Sequence, residues 1–275
     1  MRLFVWVLAL VPLLPSGFLT NPRQDAVGTR RDAQALNLVA QSLAANGGPA
    51  VTSIEDFTGT GTIAYNWAGE VVSGSVSVYG KGREEFRVDS SLPAGTQSLV
   101  LNGRDAILTP VYGPKAGSPI HATMTTGNLT LPAVRIAEVI SDSSIGLRYV
   151  GSLTWNGKQV LHVHVVLSND PRLRLGAQFS DLGEYELYLD ANSYVVLGLA
   201  EKVWWDDDPR QSYLYELTFS DYRPVNGVLV PFAISERMGG QQTWSMTLSS
   251  MAFNEGLSDS LFMLPLSDDS PEGAN

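Results

Sequence analysis

Cysteine is missing altogether from the 275 residues, so the chain has no disulfide framework, no thiolate metal cage and no lipid-modified N-terminal cysteine. Histidine is nearly as scarce, with three residues. Positive charge is also short: 18 Lys and Arg stand against 28 Asp and Glu, a formal net charge of −10. No basic field exists to hold a polyanion, and nucleic acid is not an expected partner. No apolar run reaches the roughly 18 residues that a membrane-spanning helix needs. What the chain does have is 44% hydrophobic and only 17% charged residues, a balance that excludes intrinsic disorder and gives one large folded body.

The amino end begins with Met1-Arg2 and continues from Leu3 to Leu14 with Pro12 as the one interruption. A charged start followed by about 12 apolar residues reads as an export signal over residues 1–26. Pro15-Ser16-Gly17 and Gln24-Asp25-Ala26 offer small residues but no good cleavage site, so an uncleaved anchor is the alternative. A buried N-terminal helix is opposed by Pro12 and Pro15. Export without cysteine points to the periplasm of a bacterial envelope.

Residues 32–45 place Leu36, Val39, Ala40 and Leu43 at helical spacing, which predicts an amphipathic helix whose stripe leaves Leu38 pointing away. Asp32 is the expected N-cap, and Asn46-Gly47-Gly48-Pro49 ends the helix. The period then changes to two. Phe57, Gly59, Gly61, Ile63, Tyr65 and Trp67 alternate with polar or small residues, and Val72, Gly74, Val76 and Val78 alternate with Ser73, Ser75 and Ser77. Hairpins are signalled by Asn102-Gly103, Asn156-Gly157 and Asn226-Gly227. Residues 112–130 form a connection too long for an ordinary loop, either a lid or slack chain. Pro132 opens a second short helix that stops near Ser141 to Ser144. About twelve strands and two helices, with no repeat, predict a mainly β domain built on one strongly curved antiparallel sheet.

Catalytic constellations are not found. His121, His162 and His164 accompany no Gly-x-Ser-x-Gly elbow and no phosphate-binding loop, and Gly59-Thr60-Gly61 lies inside a strand. His162 and His164 share a strand face, the simplest two-histidine metal spacing. The Asn156-Gly157 register sets Gly151 and Tyr149 opposite them, so no carboxylate from that hairpin completes a ligand set. Trp204-Trp205-Asp206-Asp207-Asp208 lacks the spacing of a calcium loop, and Glu84-Glu85 point to opposite faces. No enzyme, metal or cofactor is expected. Apolar strand faces remain: Val72, Val76 and Val78, then Phe86 and Val88, then Trp244, Met246 and Leu248. They line a cavity or groove that the stripe Leu36, Val39, Leu43 could plug. A filled barrel core is the open alternative.

Several signatures occur in order: the exported helix before a β meander, Gly80-Lys81-Gly82-Arg83-Glu84-Glu85-Phe86-Arg87-Val88, and Ser98-Leu99-Val100-Leu101-Asn102-Gly103-Arg104. Near the end come Ser220-Asp221-Tyr222-Arg223-Pro224-Val225-Asn226-Gly227-Val228-Leu229-Val230-Pro231-Phe232 and Leu261-Phe262-Met263-Leu264-Pro265. In this the chain resembles the LolA-like superfamily of periplasmic outer-membrane lipoprotein carriers over residues 32–265, with 266–275 left as a disordered acidic tail. The resemblance implies an unclosed β-barrel with a helical lid and a concave face receiving acyl chains of a lipid or lipoprotein, without catalysis, as carrier or sensor. It also makes Arg83 an offset candidate for the arginine that ties the lid shut, since Lys81-Gly82-Arg83 lacks the proline of the family's Arg-Pro pair. The lipid-binding residues expected are Leu36, Val39, Leu43, Val76, Val78, Phe86, Val88, Trp244 and Met246, in a monomer. The alternative is an envelope scaffold or sensor that binds a protein partner through the barrel or its open edge.

Overall fold

The computed structural model describes residues 31–67, 69–82, 84–103, 105–113, 116–117, 131–167, 184–204 and 212–265. The export signal, the acidic tail, His121, Arg83, Trp205 to Asp208 and most of the 112–130 connection lie outside the described residues.

Helix α1 (Ala33–Ala45) starts as expected, with the Asp32 carboxylate accepting from the Gln34 backbone N–H at 2.8 Å. Its end is fixed by Gly47, whose φ of +129° and whose missing Cβ, which would lie 2.6 Å from the Gly227 carbonyl oxygen, both require glycine. The buried face differs from the expected stripe. Ala35, Leu38, Val39 and Ser42 are buried, and Leu36 and Leu43 flank them partly covered. Leu38 therefore points into the core and not away from it. The rotation has a packing cause: α1 docks on another helix as well as on the sheet. A single turn, α2 (Pro49–Thr52), follows and buries Val51. Helix α3 (Pro132–Ser141) opens on Pro132 and buries Ala133, Ile136 and Val139.

Thirteen strands form one antiparallel sheet: β1 (Asp56–Trp67), β2 (Glu70–Lys81), β3 (Glu85–Leu92), β4 (Gly95–Asn102), β5 (Asp105–Thr109), β6 (Ala116–Gly117), β7 (Gly146–Trp155), β8 (Lys158–Val166), β9 (Glu184–Asp190), β10 (Val196–Trp204), β11 (Ser212–Val225), β12 (Val228–Met238) and β13 (Gln241–Phe253). Their order is β6-β5-β4-β3-β2-β1-β13-β12-β11-β10-β9-β8-β7. The last strand closes back on the first, while β6 and β7 stay unpaired with each other, so the sheet curls into an unclosed barrel. The Asn156-Gly157 and Asn226-Gly227 turns adopt the positive φ values that a two-residue type I′ hairpin demands. Tight coiling near β1 depends on Gly61, at a register shift, where a Cβ would sit 2.1 Å from the Thr247 carbonyl oxygen.

Two apolar clusters fill the concave side. One packs α1 and α3 on β7 to β12, through Val39, Ile136, Leu187, Leu217 and Phe219. The other lies within β1 to β5, β12 and β13 and contains Phe57, Val76, Val78, Phe86 and Met246. Helix α3 serves both, with Ile136 and Val139 in the first and Ala133 in the second. Beyond β13, a 3-10 turn (Asp259–Phe262) seats the fully buried Phe262 beside β3 and β4. Arg87 and Asn102 anchor it by donating to the carbonyls of Leu261 and Phe262 at 3.0 and 3.2 Å.

Candidate functional site

Strand alternation sets which side chains reach the barrel interior. Val76, Val78, Phe86, Val88, Met246 and Leu248 all point inward and are buried against one another. Val39 is buried in the neighbouring cluster, with Leu36 and Leu43 packed at its margin. The structure thus gathers the sequence-derived residues on the concave side, divided between two cores. Toward the β2–β3 and β11–β12 turns the interior is filled by side chains in this state.

The opposite end is different. There the inward residues Tyr65, Val72 and Trp244 are half-covered, and Trp67 is 40% exposed. Tyr65 and Trp67 stack with ring centroids 5.5 Å apart. These residues rim a mouth, and immediately inside it runs a belt of polar side chains that the sequence reading missed. The Tyr65 hydroxyl meets Ser90 Oγ at 3.0 Å. Across the β1–β13–β12 register, Tyr65 faces Trp244 and Trp244 faces Glu236. The Glu236 carboxylate accepts from Thr243 Oγ1 at 2.5 Å. Burial pushes Glu236 up from the usual carboxylate range, against opposing hydrogen bonds from Thr243, Trp244 and Tyr215. Farther round, Tyr215 faces Glu201, and Glu201 faces Tyr185. Burial pushes the Glu201 carboxyl up to about 8, with the Arg135 guanidinium of α3 the opposing influence. Glu201 stands two residues from both Leu199 and Val203 on an inward face. That was the signal available in the sequence: an acid inside an apolar strand alternation.

Two arginines work at the helices. Arg135 Nη1 donates to Glu138 Oε2 at 2.7 Å within α3. Arg31 donates from Nη2 to the Val139 carbonyl at 2.6 Å and from Nη1 to the Ile140 carbonyl at 3.2 Å. It caps the negative end of α3 and ties it to the segment entering α1. This is the kind of tie that the resemblance assigned to Arg83, which lies outside the described residues.

On the convex face, His164 Nδ1 lies 2.9 Å from Glu186 Oε1 and His164 Nε2 lies 3.4 Å from Glu184 Oε2, while His162 Nε2 meets Glu186 Oε2 at 2.5 Å. The carboxylates come from β9, on the side of β8 away from the hairpin used to judge the pairing, and this corrects the expectation that none stands across. Hydrogen bonds donated to the Glu184 and Glu186 carboxylates raise His164 to about 9. Burial works to raise Glu186 in turn, but the two histidines outweigh it and hold that carboxyl below its ordinary value. The imidazoles are committed to carboxylates, and among the described residues no group of three or more His, Asp or Glu side chains is arranged to hold a metal ion. Glu201 is the last β10 residue paired to β9. A cavity of about 280 Å³ lies at that step, lined by His164, Glu184, Glu186, Ala200, Lys202 and Leu214 together with Tyr185 and Glu201.

Among the described residues no helix is long and apolar enough to cross a membrane. No family model and no curated protein matches the chain. Solved structures do. A DUF1329 family protein from Desulfovibrio piger superposes with a TM-score of 0.53 at 12% identity, covering 86% of this chain and 98% of its own. A LolA superfamily protein from Nitrosomonas europaea gives 0.51 at 12% identity, covering 83% and 97%. A domain from Vibrio parahaemolyticus, named for outer-membrane lipoprotein sorting, gives 0.50 at 13% identity, covering 83% and 96%. The chain has the LolA-like fold.

Proposed function

We propose that the protein binds the acyl chain of a lipid or lipoprotein in the bacterial periplasm, as a carrier or sensor and without catalysis. The observation that carries this reading is the asymmetry of the barrel, with half-exposed Tyr65, Trp67, Val72 and Trp244 rimming a mouth, a polar belt just inside it and an apolar cluster below. An aromatic rim over an apolar interior suits a flexible hydrocarbon, since no polar group in the deep part of the barrel would have to be desolvated to admit it. Lipoprotein sorting in the name of the Vibrio parahaemolyticus domain supports the same direction.

The apolar interior is occupied by side chains in this state, so an incoming chain has to displace α1 and α3 outward. Burying about 16 methylenes at ~0.8 kcal/mol each contributes on the order of 12 kcal/mol, enough to offset the opening of a lid held by a few contacts. Arg31 and its two carbonyl partners are the contacts that would yield first, because they join α3 to the start of α1.

Native mass spectrometry of protein purified from an envelope fraction tests the reading. Co-purified species whose masses match acyl lipids, lost when Trp244 and Tyr65 are replaced together by aspartate in a variant that keeps its far-UV spectrum, are expected. Protein that carries no lipid, and takes up none from added phospholipid or fatty acid, would overturn it.

A further inference from the structure

The β1–β2 hairpin ends in apolar side chains that the fold does not use. Among the described residues, β1 has no β13 partner beyond Tyr65, paired with Trp244, and β2 has no β3 partner beyond Ser75, paired with Ser91. From there the two strands pair only with each other, through Asn66–Val71 and Trp67–Glu70. On the β3 side the arm from Ser75 to Glu70 spans about 16 Å at ~3.3 Å per residue. A Cβ added at Gly69 would meet nothing within 4 Å, so the tip stands clear of the body. Trp67 lies on the inward face beside Tyr65 and is 40% exposed, whereas Val71 lies on the outward face and is 68% exposed. Apolar residues scattered singly on a surface are ordinary, but these two share one tip and continue through Tyr65 and Val72 into the rim of the mouth. The chain also enters at this end. Strands β1 and β7 stand seven places apart in the antiparallel order and so run in opposite directions, β1 ending where β7 begins. Arg31 bridges Leu147 at the start of β7, while the far end of α1, at Asn46, meets Leu229 at the start of β12. The 30 residues before Arg31, with the apolar stretch Leu3 to Leu14, therefore join the fold on the side of the mouth.

We propose that this tip docks the barrel mouth onto a lipid bilayer with zwitterionic head groups, Trp67 and Val71 entering the interface from the two faces of the hairpin. An indole ring settles at the level of the head groups, and a valine gains from the acyl boundary just below them. That boundary is ~5–10 Å deep, within reach of the free arm of β2. Charge selects the kind of surface. No Lys or Arg stands between Ile63 and Tyr79, the tip carries Glu70, and the whole chain has a net charge of −10. An anionic surface is therefore repelled, while a zwitterionic one asks only for apolar contact. The docking is read from the tip itself and rests on the acyl-binding reading only for its purpose, since it sets the mouth against a surface that supplies acyl chains.

Because the chain has no cysteine, a single introduced thiol can carry a polarity-sensitive fluorophore in the full chain. Val71→Cys reports on the tip, and Ser77→Cys, on the outer face of the same strand, is the control. With vesicles of phosphatidylethanolamine and phosphatidylcholine, the tip probe is expected to enter an apolar environment and to be shielded from iodide, at low and high salt alike, while the control stays unchanged. Val71→Asp should weaken vesicle binding by at least about tenfold, with uptake of fatty acid from solution, followed by native mass spectrometry, kept at the parent's level. Absence of vesicle binding, binding that leaves both probes unchanged, or a Val71→Asp chain that binds as the parent does would overturn the docking tip and leave acyl binding standing. Binding confined to phosphatidylglycerol vesicles and abolished by salt would overturn the assignment to a zwitterionic surface. Shielding of the tip probe by lipid-free envelope protein, with none from vesicles, would overturn the bilayer in favour of a protein partner. Docking by a parent chain that takes up no fatty acid would overturn acyl binding and leave the tip standing.

Discussion

Glu201 makes stability depend on pH in a way that one conservative change should abolish. Burial pushes its carboxyl up from the ordinary 4.5 to about 8 in the folded chain. Burial is the main cause, Arg135 of α3 opposes it, and Tyr185 from β9 and Tyr215 from β11 stand opposite it in the sheet. Above pH 4.5 the unfolded chain gives up a proton that the folded chain keeps. Rising pH therefore destabilises the fold, and the loss levels off beyond pH 8. At pH 7 the unfolded group stands about 2.5 units past its midpoint, and at 1.36 kcal/mol per unit the loss is about 3 kcal/mol. Glu201→Gln keeps the volume and removes the titration. The difference in Tm between variant and parent should grow by roughly 6–12 °C from pH 4.5 to pH 7, at about 2–4 °C per kcal/mol for a chain of this size. Differential scanning calorimetry at four pH values reads this directly. Parallel curves for the two proteins over that interval would refute the burial of the Glu201 carboxyl on the concave face.

Three further expectations follow from other contacts. Arg31→Leu removes two charge-assisted bonds to α3 and should cost ~1.5–3 kcal/mol, with faster amide exchange concentrated in α1 and α3; uniform exchange would mean that Arg31 ties nothing. His164 should titrate near 9 by imidazole NMR, and because its folded value is raised from 6.5, its stabilisation is complete below pH 6.5 and lost as pH rises through 9, a loss that His164→Gln should erase. Val78→Trp should overpack an inward position and cost ~1–3 kcal/mol or more, whereas Ser77→Trp on the outer face should stay within ~0.5 kcal/mol, both by urea denaturation; equal costs would mean that the strand's faces are reversed.

Local rules made much of this fold readable. Asp32 as a cap, the Asn-Gly hairpins and the inward set Val76, Val78, Phe86 and Val88 rest on one-residue chemistry or on a two-residue period, and both survive in the folded chain. The face of α1 was not readable to one position, because Leu36-Val39-Leu43 and Ala35-Leu38-Val39-Ser42 are overlapping stripes, and contact with α3 selects the second. The His164 partners escaped for another reason. The Asn156-Gly157 turn sets the register of β8 with β7 alone, and residues 168–183 carry no comparable signal to align β9. Glu201 and Glu236 were legible in principle, each standing two residues from apolar neighbours on an inward face. Taking acids as outward by default hid the belt.

The two borders of the sheet bear on how copies of this chain behave in a crowded compartment. A curled sheet that never closes leaves two rows of backbone groups free to recruit another strand. Here one border ends in the two-residue β6, too short to template anything. At the other, Arg31 bridges Leu147 in parallel, the Asp32 N–H donates to the Leu147 carbonyl at 2.8 Å, and the Tyr149 N–H donates to the Asp32 carboxylate at 3.2 Å. A register shift between Tyr149 and Gly151 then bends the remainder of β7. A guest strand would have to evict the chain's own leading segment and, with it, the arginine on α3. Fibril seeding and domain exchange are thus opposed by the same few residues that hold the helices down, and loosening those residues should expose both hazards at once.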